Sequence, residues 1–404
     1  MRIAFTSNGP GELAGWLRPL ARALYAREPA IDLTAFFVPD DYATGHEAGV
    51  ARALFPRMRV VEPRAYVLFA LGRGTADLPA GADLVQYLGG DLMHAARLHR
   101  RLGGRARSYK FSRPRYRALF ERVYAVDAAN ESEIERWGTP RDRVEVVGNL
   151  AVDGALAEAA GAFGGTEPDP SAVDGGVLIM PGTRRREVAN LVPFFLQTAI
   201  WLRRFAPGVR VAFGLSPFTN DDELRRALAQ GGDPRFWGSR GTLDSDAIVA
   251  SGGERFPIVR DALRYAPRAA CALTIPGTKC IELAAVGVPT IVCTPLNVPE
   301  LIVVNGPLTY LDRIPLAGAA VKRAVVLRLG RRFPLLAQPN IDAGEELMPE
   351  LRGALMPGRV ARVVVEYLGD GAERTRAAGA LRALYAAHAG AADRMARSLL
   401  TGAA

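Results

Sequence analysis

The sequence predicts an α/β protein built from two doubly wound, Rossmann-like parallel-sheet domains that face each other across a cleft, on three observations. Short apolar strand-like runs alternate with helical patterns twice over, an Ala-, Gly- and Pro-rich stretch separates the two series, and glycines recur where a strand gives way to a helix. At 404 residues the chain exceeds the roughly 250 to 300 residues at which single cores stop growing, so each half has room for a core of its own.

In order, the first half reads as RIAFTS (2–7), a helix from Trp16 to Glu28, DLTAFFVP (32–39), a helix ending at Phe55, and MRVVEP (58–63). An apolar stretch, AYVLFALG (65–72), precedes ADLVQYLGG (82–90), a helix from Leu92 to Gly103, RARSYKFS (105–112), a further helix, RVYAVD (122–127), a helix from Ala129 to Gly138, and RVEVVGN (143–149). Residues 156–176 carry the linker composition. The alternation restarts with GVLIMPGT (176–183), a helix from Arg185 to Phe205, VRVAFGLS (209–216) and a helix from Asn220 to Gly231. Residues 231–253 stay unassigned; a helix PIVRDALRYA (257–266), CALTIPGT (271–278), a helix carrying Glu282, and TIVCTP (290–295) follow. From Gly358 apolar positions recur at three- and four-residue spacing, giving long C-terminal helices. The expected domains are therefore 1–160, a linker 161–176, 177–370, and helices 371–404 packing back on the first domain.

Composition narrows the function. Hydrophobic residues at 49% and charged residues at 23% are the balance of a soluble globular protein, and no run approaches the ~20 apolar residues of a membrane-spanning helix. The N-terminus lacks the pattern of an export signal, so a cytoplasmic protein is expected. Cys271, Cys280 and Cys293 cluster in apolar surroundings without C-x-x-C spacing, and the four histidines are scattered, so neither a disulfide framework nor a metal site is indicated. The net charge is +9, and residues 97–122 hold ten Arg or Lys against the single acid Glu121, with Tyr109, Phe111, Tyr116 and Phe120 interleaved. A solvated face, an anionic membrane surface and a nucleic acid all fit that segment.

Three loops place glycine at a strand-to-helix turn: SNGPGELAG (7–15), MPGTRRRE (180–187) and IPGTKCIE (275–282). Glycine admits a ligand close to the backbone, and the free N–H groups of a helix start favour phosphate. Walker and G-x-G-x-x-G spacings are both absent, which speaks against ATP hydrolysis and hydride transfer. Glu282 lies one turn beyond Thr278, where a carboxylate can accept from ribose hydroxyls; an ion pair with an arginine at the domain surface is the alternative.

These loops carry a resemblance. Gly11-Glu12-Leu13-Ala14-Gly15 looks like the GEASGD loop of the lipid-A-disaccharide synthases, inverting glycosyltransferases of the GT-B class; PGTRRREV resembles their PGSRxxEV, and PGTKCIELAAVGVP their SGTATLEAALLGVP. The stretch QPNIDAGEELMPEL (338–351) resembles their late LPN…PEL signature. The resemblance implies a GT-B fold and transfer of an acylated glucosamine from a UDP-sugar donor to a lipid-linked sugar acceptor. It implies nucleotide-sugar contacts from Gly11, Gly182, Thr183, Arg184, Gly277, Thr278, Glu282 and Asn340, with Gly11 and Glu12 facing the cleft, and a catalytic pair of Glu12 and Asp91, Asp91 being the base that deprotonates the acceptor. No metal or other cofactor is expected, because arginine and helix-end N–H groups can stabilise the leaving diphosphate. The expected partners are a UDP-sugar, a lipid or glycolipid acceptor and an anionic membrane surface at the inner face of the cytoplasmic membrane, rather than a nucleic acid; a homodimer is left open.

The departures fall in the first half. Trp16 stands where GEASGD ends in aspartate, and Gly89-Gly90 and Leu92-Met93 flank Asp91 in place of Ala-Pro and Phe-Asn. The donor side is better kept than the acceptor side, and Asp91 also fits a helix N-cap. Two other readings stay open. One is a non-hydrolysing UDP-sugar 2-epimerase, for which the first-domain loops show no obvious His or Glu cluster. The other is a non-catalytic paralogue that binds a nucleotide sugar or RNA.

Overall fold

A computed structural model describes residues 1–40, 43–73, 78–161, 172–299, 323–324, 328 and 333–401 of the chain. They form two compact units, Met1–Ala157 with Tyr385–Ala404, and Glu158–Leu384. Most of the expected linker, 162–171, lies outside the described residues.

The first unit is one parallel sheet of seven strands in the order β3-β2-β1-β4-β5-β6-β7, with β1 Arg2–Ser7, β2 Asp32–Phe37, β3 Arg59–Val61, β4 Leu84–Tyr87, β5 Arg105–Tyr109, β6 Arg122–Ala125 and β7 Val144–Val146. Strand β1 pairs in parallel with both β2 and β4, so the winding reverses between β1 and β4. Buried strands such as β4 (Leu84, Val85, Gln86, Tyr87) are covered on both faces, which suits their apolar side chains. After β1 the chain enters α1 Pro10–Glu12, a π-helical turn Leu13–Leu17 and α2 Arg18–Arg27, so the helix begins directly at the glycine loop instead of at Trp16. The apolar stretch forms α4 Pro63–Ala70, after α3 Glu47–Leu54; α5 Leu92–Leu102, α6 Ala128–Arg136 and α7 Leu150–Ala159 complete the layers. Between β5 and β6, where a helix is expected, only a single 3-10 turn Pro114–Tyr116 forms, because Pro114 and its short spacing leave no room for more.

The second unit has eight strands in the order β10-β11-β12-β9-β8-β13-β14-β15. Its elements in chain order are β8 Val177–Met180, α8 Arg185–Phe205, β9 Val211–Gly214, α9 Asp221–Gln230, β10 Gly241–Asp244, β11 Ala247–Ala250, β12 Arg255–Val259 and α10 Ala262–Tyr265. These are followed by β13 Cys271–Thr274, α11 Thr278–Ala285, β14 Thr290–Pro295, α12 Gln338–Ala343, β15 Glu350–Gly353, α13 Pro357–Gly369 and α14 Gly371–Tyr385. The unassigned stretch becomes the antiparallel hairpin β10–β11. The expected helix 257–266 is corrected: Pro257 to Val259 belong to β12, which is antiparallel to β11 and parallel to β9, and only α10 is helical. Pairing on both sides outweighs the local helical spacing there. The core gathers Phe194, Phe195, Leu196 and Ala199 of α8 against Val360 and Val364 of α13 and the strands beneath; each fully buried phenylalanine contributes about 1.5–3 kcal/mol. The last helix, α15 Ala391–Thr401, belongs to the first unit, where Asp153 accepts from Gly390 N (2.7 Å) and Ala392 N (2.6 Å) and Arg27 Nε donates to Asp393 (2.7 Å).

Candidate functional site

In a doubly wound sheet, ligands bind beyond the strands' carboxyl ends where the winding reverses. Here the first reversal lies between β1 and β4, and the second between β8 and β13, whose neighbours are β9 and β14. The loops that leave these four strands are SNGPGE, LGGD, PGTR and IPGT, so the sheet topology selects the glycine loops that the sequence singles out.

In the first unit, Asn8 opens the loop from β1 and donates from Nδ2 to Asp40 Oδ2 (2.7 Å). Glu12, one turn along, lies with Asn8 against Gly89: a Cβ at that glycine would stand 2.9 Å from Glu12 Cγ and 2.3 Å from Asn8 Oδ1. At Gly90, with φ +80°, a Cβ would meet Val38 at 2.4 Å. The glycine pair that replaces Ala-Pro therefore answers a close packing of backbone on Val38 and Asn8. Asp91 is exposed and caps α5, its Oδ1 accepting from Met93 N (2.7 Å). Glu12, Asp40 and Asp91 converge electrostatically on Tyr87, whose phenol is raised well above its ordinary pKa by burial first and by those carboxylates next. Tyr87 donates to Gly90 O (2.6 Å). Trp16, in place of the resemblance's aspartate, packs edge-on to Tyr109 (5.4 Å between centroids) and against Phe111 (6.4 Å).

In the second unit, Gly182 has φ +104°, and a Cβ there would meet Glu187 Oε2 at 2.5 Å and Ile275 Cδ1 at 2.9 Å. Glu187 Oε2 accepts from Thr183 N (3.0 Å) and Arg184 N (3.1 Å), and Arg184 Nη1 reaches Glu187 Oε1 (3.3 Å). A carboxylate of the chain itself thus occupies the helix start where a phosphate is expected. The loop Ile275 to Thr278 is different, because a Cβ at Gly277 would meet nothing within 4 Å. Glu282 is buried on α11, and its Oε2 stands 2.5 Å from Lys279 Nζ, an ion pair that lacks the alignment of a hydrogen bond. Its partner is thus a lysine three residues earlier on the same helix.

Asn340 is fully buried. Its Nδ2 donates to Met348 O (2.7 Å) and Glu350 Oε1 (2.9 Å), and its Oδ1 accepts from Leu347 N (2.9 Å) and Met348 N (2.8 Å). Glu350 also accepts from Leu336 N (2.9 Å), Ala337 N (2.9 Å) and Arg352 Nε (3.0 Å). Burial pushes the Glu350 carboxyl up, but these donors outweigh it and hold it below the usual carboxylate range. The PN…PEL stretch is thus a clip that ties α12 to β15, and α12 in turn packs against α11.

Sequence reasoning missed Glu187, Glu350, Asn8, Asp40 and the Tyr66–His94 pair. Glu187 had a signal, since it sits at the third helical position where capping-box glutamates occur. The others face their partners only through tertiary pairing. Among the described residues no group of three His, Cys, Asp or Glu side chains is arranged to hold a metal ion.

The paired doubly wound units define a GT-B-like α/β protein. Two solved structures share this fold over nearly the whole chain: a Listeria monocytogenes protein described as a UDP-N-acetylglucosamine 2-epimerase (TM-score 0.60, 12% identity, 98% of this chain and 94% of that one), and S. aureus MnaA with UDP (TM-score 0.59, 11% identity, 97% and 94%). In sequence, the chain is similar to the lipid-A-disaccharide synthase of Geobacter metallireducens, 29% identical over 267 residues, 64% of this chain and 56% of that protein. It is also similar to that of Geobacter sulfurreducens, 27% identical over 204 residues, 49% and 41%. The matches therefore span about half the length of these relatives. No family model matches the chain. The resemblance first read from the loops is matched by sequence similarity over part of the chain, at the level of a divergent relative.

Proposed function

We propose that the protein is an inverting glycosyltransferase that moves a sugar, an acylated glucosamine, from a UDP-sugar to a lipid-linked sugar acceptor. The observation that carries this reading is the loop at Gly277: an open helix start at the reversal of the second sheet, with the Glu282 carboxylate one turn along. Diphosphate at the helix start and ribose at Glu282 fit a uridine nucleotide, and Arg184 supplies a partly exposed guanidinium from the neighbouring loop. The similarity to lipid-A-disaccharide synthases supports the transfer chemistry and the glycolipid class.

In this reading Asp91 takes the proton of the acceptor hydroxyl, whose oxygen attacks the anomeric carbon. The bond from that carbon to the diphosphate breaks, and UDP leaves with the electron pair. Capping Met93 N leaves the second Asp91 oxygen for this role. The test is mass spectrometry of products from UDP-2,3-diacylglucosamine and 2,3-diacylglucosamine 1-phosphate in detergent. A disaccharide from the parent and none from Asp91→Asn is expected; full transfer by the variant removes Asp91 from the mechanism.

A second reading, a UDP-sugar 2-epimerase, gains from one observation: the fold gathers Glu12, Asp40, Asp91 and His94 beyond the carboxyl ends of β1, β2 and β4, a cluster that linear order conceals. Incubation with a UDP-N-acetylhexosamine alone separates the two, since an epimer formed without acceptor would replace the transferase reading. Reaching an acylated substrate also calls for membrane contact. No helix among the described residues is long and apolar enough to cross a membrane, but Val67, Leu68 and Leu71 at the end of α4 are exposed, with Arg101 stacked on Phe69 beside them. Sedimentation with anionic vesicles, lost in Leu71→Glu, is expected.

A further inference from the structure

One buried pair at the edge of the first sheet has no part in the mechanism above. Tyr66 OH on α4 and His94 Nδ1 on α5 stand 2.7 Å apart, with their rings edge-to-face at 5.3 Å. His94 follows Asp91 by one turn, and its backbone N donates to Asp91 O (2.9 Å). Both side chains are buried, Tyr66 at 1% and His94 at 8% exposure.

The neighbours decide which nitrogen carries the proton. The Arg97 guanidinium acts on the Tyr66 oxygen as a nearby positive charge, which favours a phenol that gives its own proton to His94 Nδ1. Burial pushes the Tyr66 phenol up to about 12, which keeps that proton in place at neutral pH. Burial, aided by Arg97, lowers the His94 imidazole below its ordinary value against the opposing pull of Asp91 and Asp40, so the ring stays neutral. Nδ1 is then the acceptor and Nε2 the donor. Among the described residues Nε2 has no hydrogen bond, and it is not one of the fully buried polar atoms that lack a partner.

We infer that His94 is a substrate-positioning residue: Tyr66 fixes its tautomer, and its Nε2–H is offered to an oxygen of the sugar acceptor beside Asp91. The inference rests on the reading of this edge as the acceptor end. It explains why an apolar helix face spends a histidine and a tyrosine on each other at this place.

The test combines imidazole nitrogen resonances with kinetics. In 15N-labelled protein at pH 7, with His94 assigned by its loss in His94→Gln, Nε2 is expected to carry the proton, and Tyr66→Phe to give a mixture of tautomers. A protonated Nδ1 in the parent, or an unchanged tautomer in Tyr66→Phe, overturns the inference. In the transfer assay His94→Phe is expected to lose roughly 10- to 100-fold in kcat/KM for the acceptor, the worth of one hydrogen bond in the transition state, with UDP affinity unchanged. His94→Gln, which keeps a donor at the same position, is expected to restore most of it; Gln no better than Phe is the contrary result. If the parent transfers nothing, the acceptor reading itself fails. Addition of 2,3-diacylglucosamine 1-phosphate then decides the inference alone, which stands if the His94 Nε2 resonance moves and falls if it does not.

Discussion

Two loops of the second unit share the tripeptide Pro-Gly-Thr, and the structure treats them in opposite ways. At Pro181-Gly182-Thr183 the backbone turns through φ +104° and the chain closes the helix start with its own Glu187, which accepts from Thr183 N and Arg184 N. At Pro276-Gly277-Thr278 the space beyond the glycine is open, and the acid stands a turn later, at Glu282, against Lys279. A glycine at a strand end is therefore not by itself an anion site. What matters is whether the fold supplies a carboxylate at the third helical position, where it competes with phosphate for the same N–H groups.

The contrast has mutational consequences, the largest of them behind the open loop. Helix α11 leans on α12, which Asn340 and Glu350 tie to β15. Glu350→Ala leaves two backbone N–H groups without their acceptor and Arg352 with only the carbonyls of Phe333 and Pro334, and is expected to cost about 3–5 kcal/mol in urea unfolding. Because the Glu350 carboxyl titrates below its ordinary value, its stabilisation is present above the unfolded pKa of about 4.3 and is lost as pH falls through the folded pKa. Acid unfolding of Glu350→Gln should lack that step. An unchanged midpoint in Glu350→Ala would mean that the open loop needs no such support.

Next come the glycines. Gly182→Ala is expected to cost about 2–3 kcal/mol, from the left-handed backbone and the collision with Glu187 and Ile275. Gly277→Ala should cost about 1 kcal/mol, from the backbone at φ +158° alone, because its Cβ meets nothing. Equal costs in denaturation would break the distinction between closed and open loops.

The smallest effects separate stability from binding. Glu187→Ala removes a cap and is expected to lower stability by about 1 kcal/mol while UDP affinity, measured calorimetrically, does not fall. Thr278→Val is expected to do the reverse, weakening UDP about 5- to 10-fold with little change in stability. If Glu187→Ala weakens UDP as much as Thr278→Val, both loops belong to one binding surface and the contrast is only local geometry.

Much of the architecture was legible because the signals are local. The alternation of apolar strands with helices, the glycines at strand ends and the repeated Pro-Gly-Thr are properties of neighbours in sequence, and they suffice to predict doubly wound sheets. The same locality misled at residues 257–266, whose helical spacing gives way to β12 because two strands flank it. At the site, Gly277, Thr278 and Glu282 could be located as a group, since one helix carries them. Asn340 could be singled out from its motif, but its saturated amide could not be read from a pattern of letters.

For most elements the sequence by itself determined where strands end and helices begin, and so which loops lie at the carboxyl ends, because backbone conformation follows from side-chain period and turn chemistry over a few residues. Only the tertiary structure decided which of those loops are filled. Glu187 had to fold onto its own helix start, Asn8 and Asp40 had to meet from the loops after separate strands, and Tyr66 had to reach His94 from 28 residues away. Hydrogen bonds and charges act over a few ångströms in space, whatever the distance along the chain.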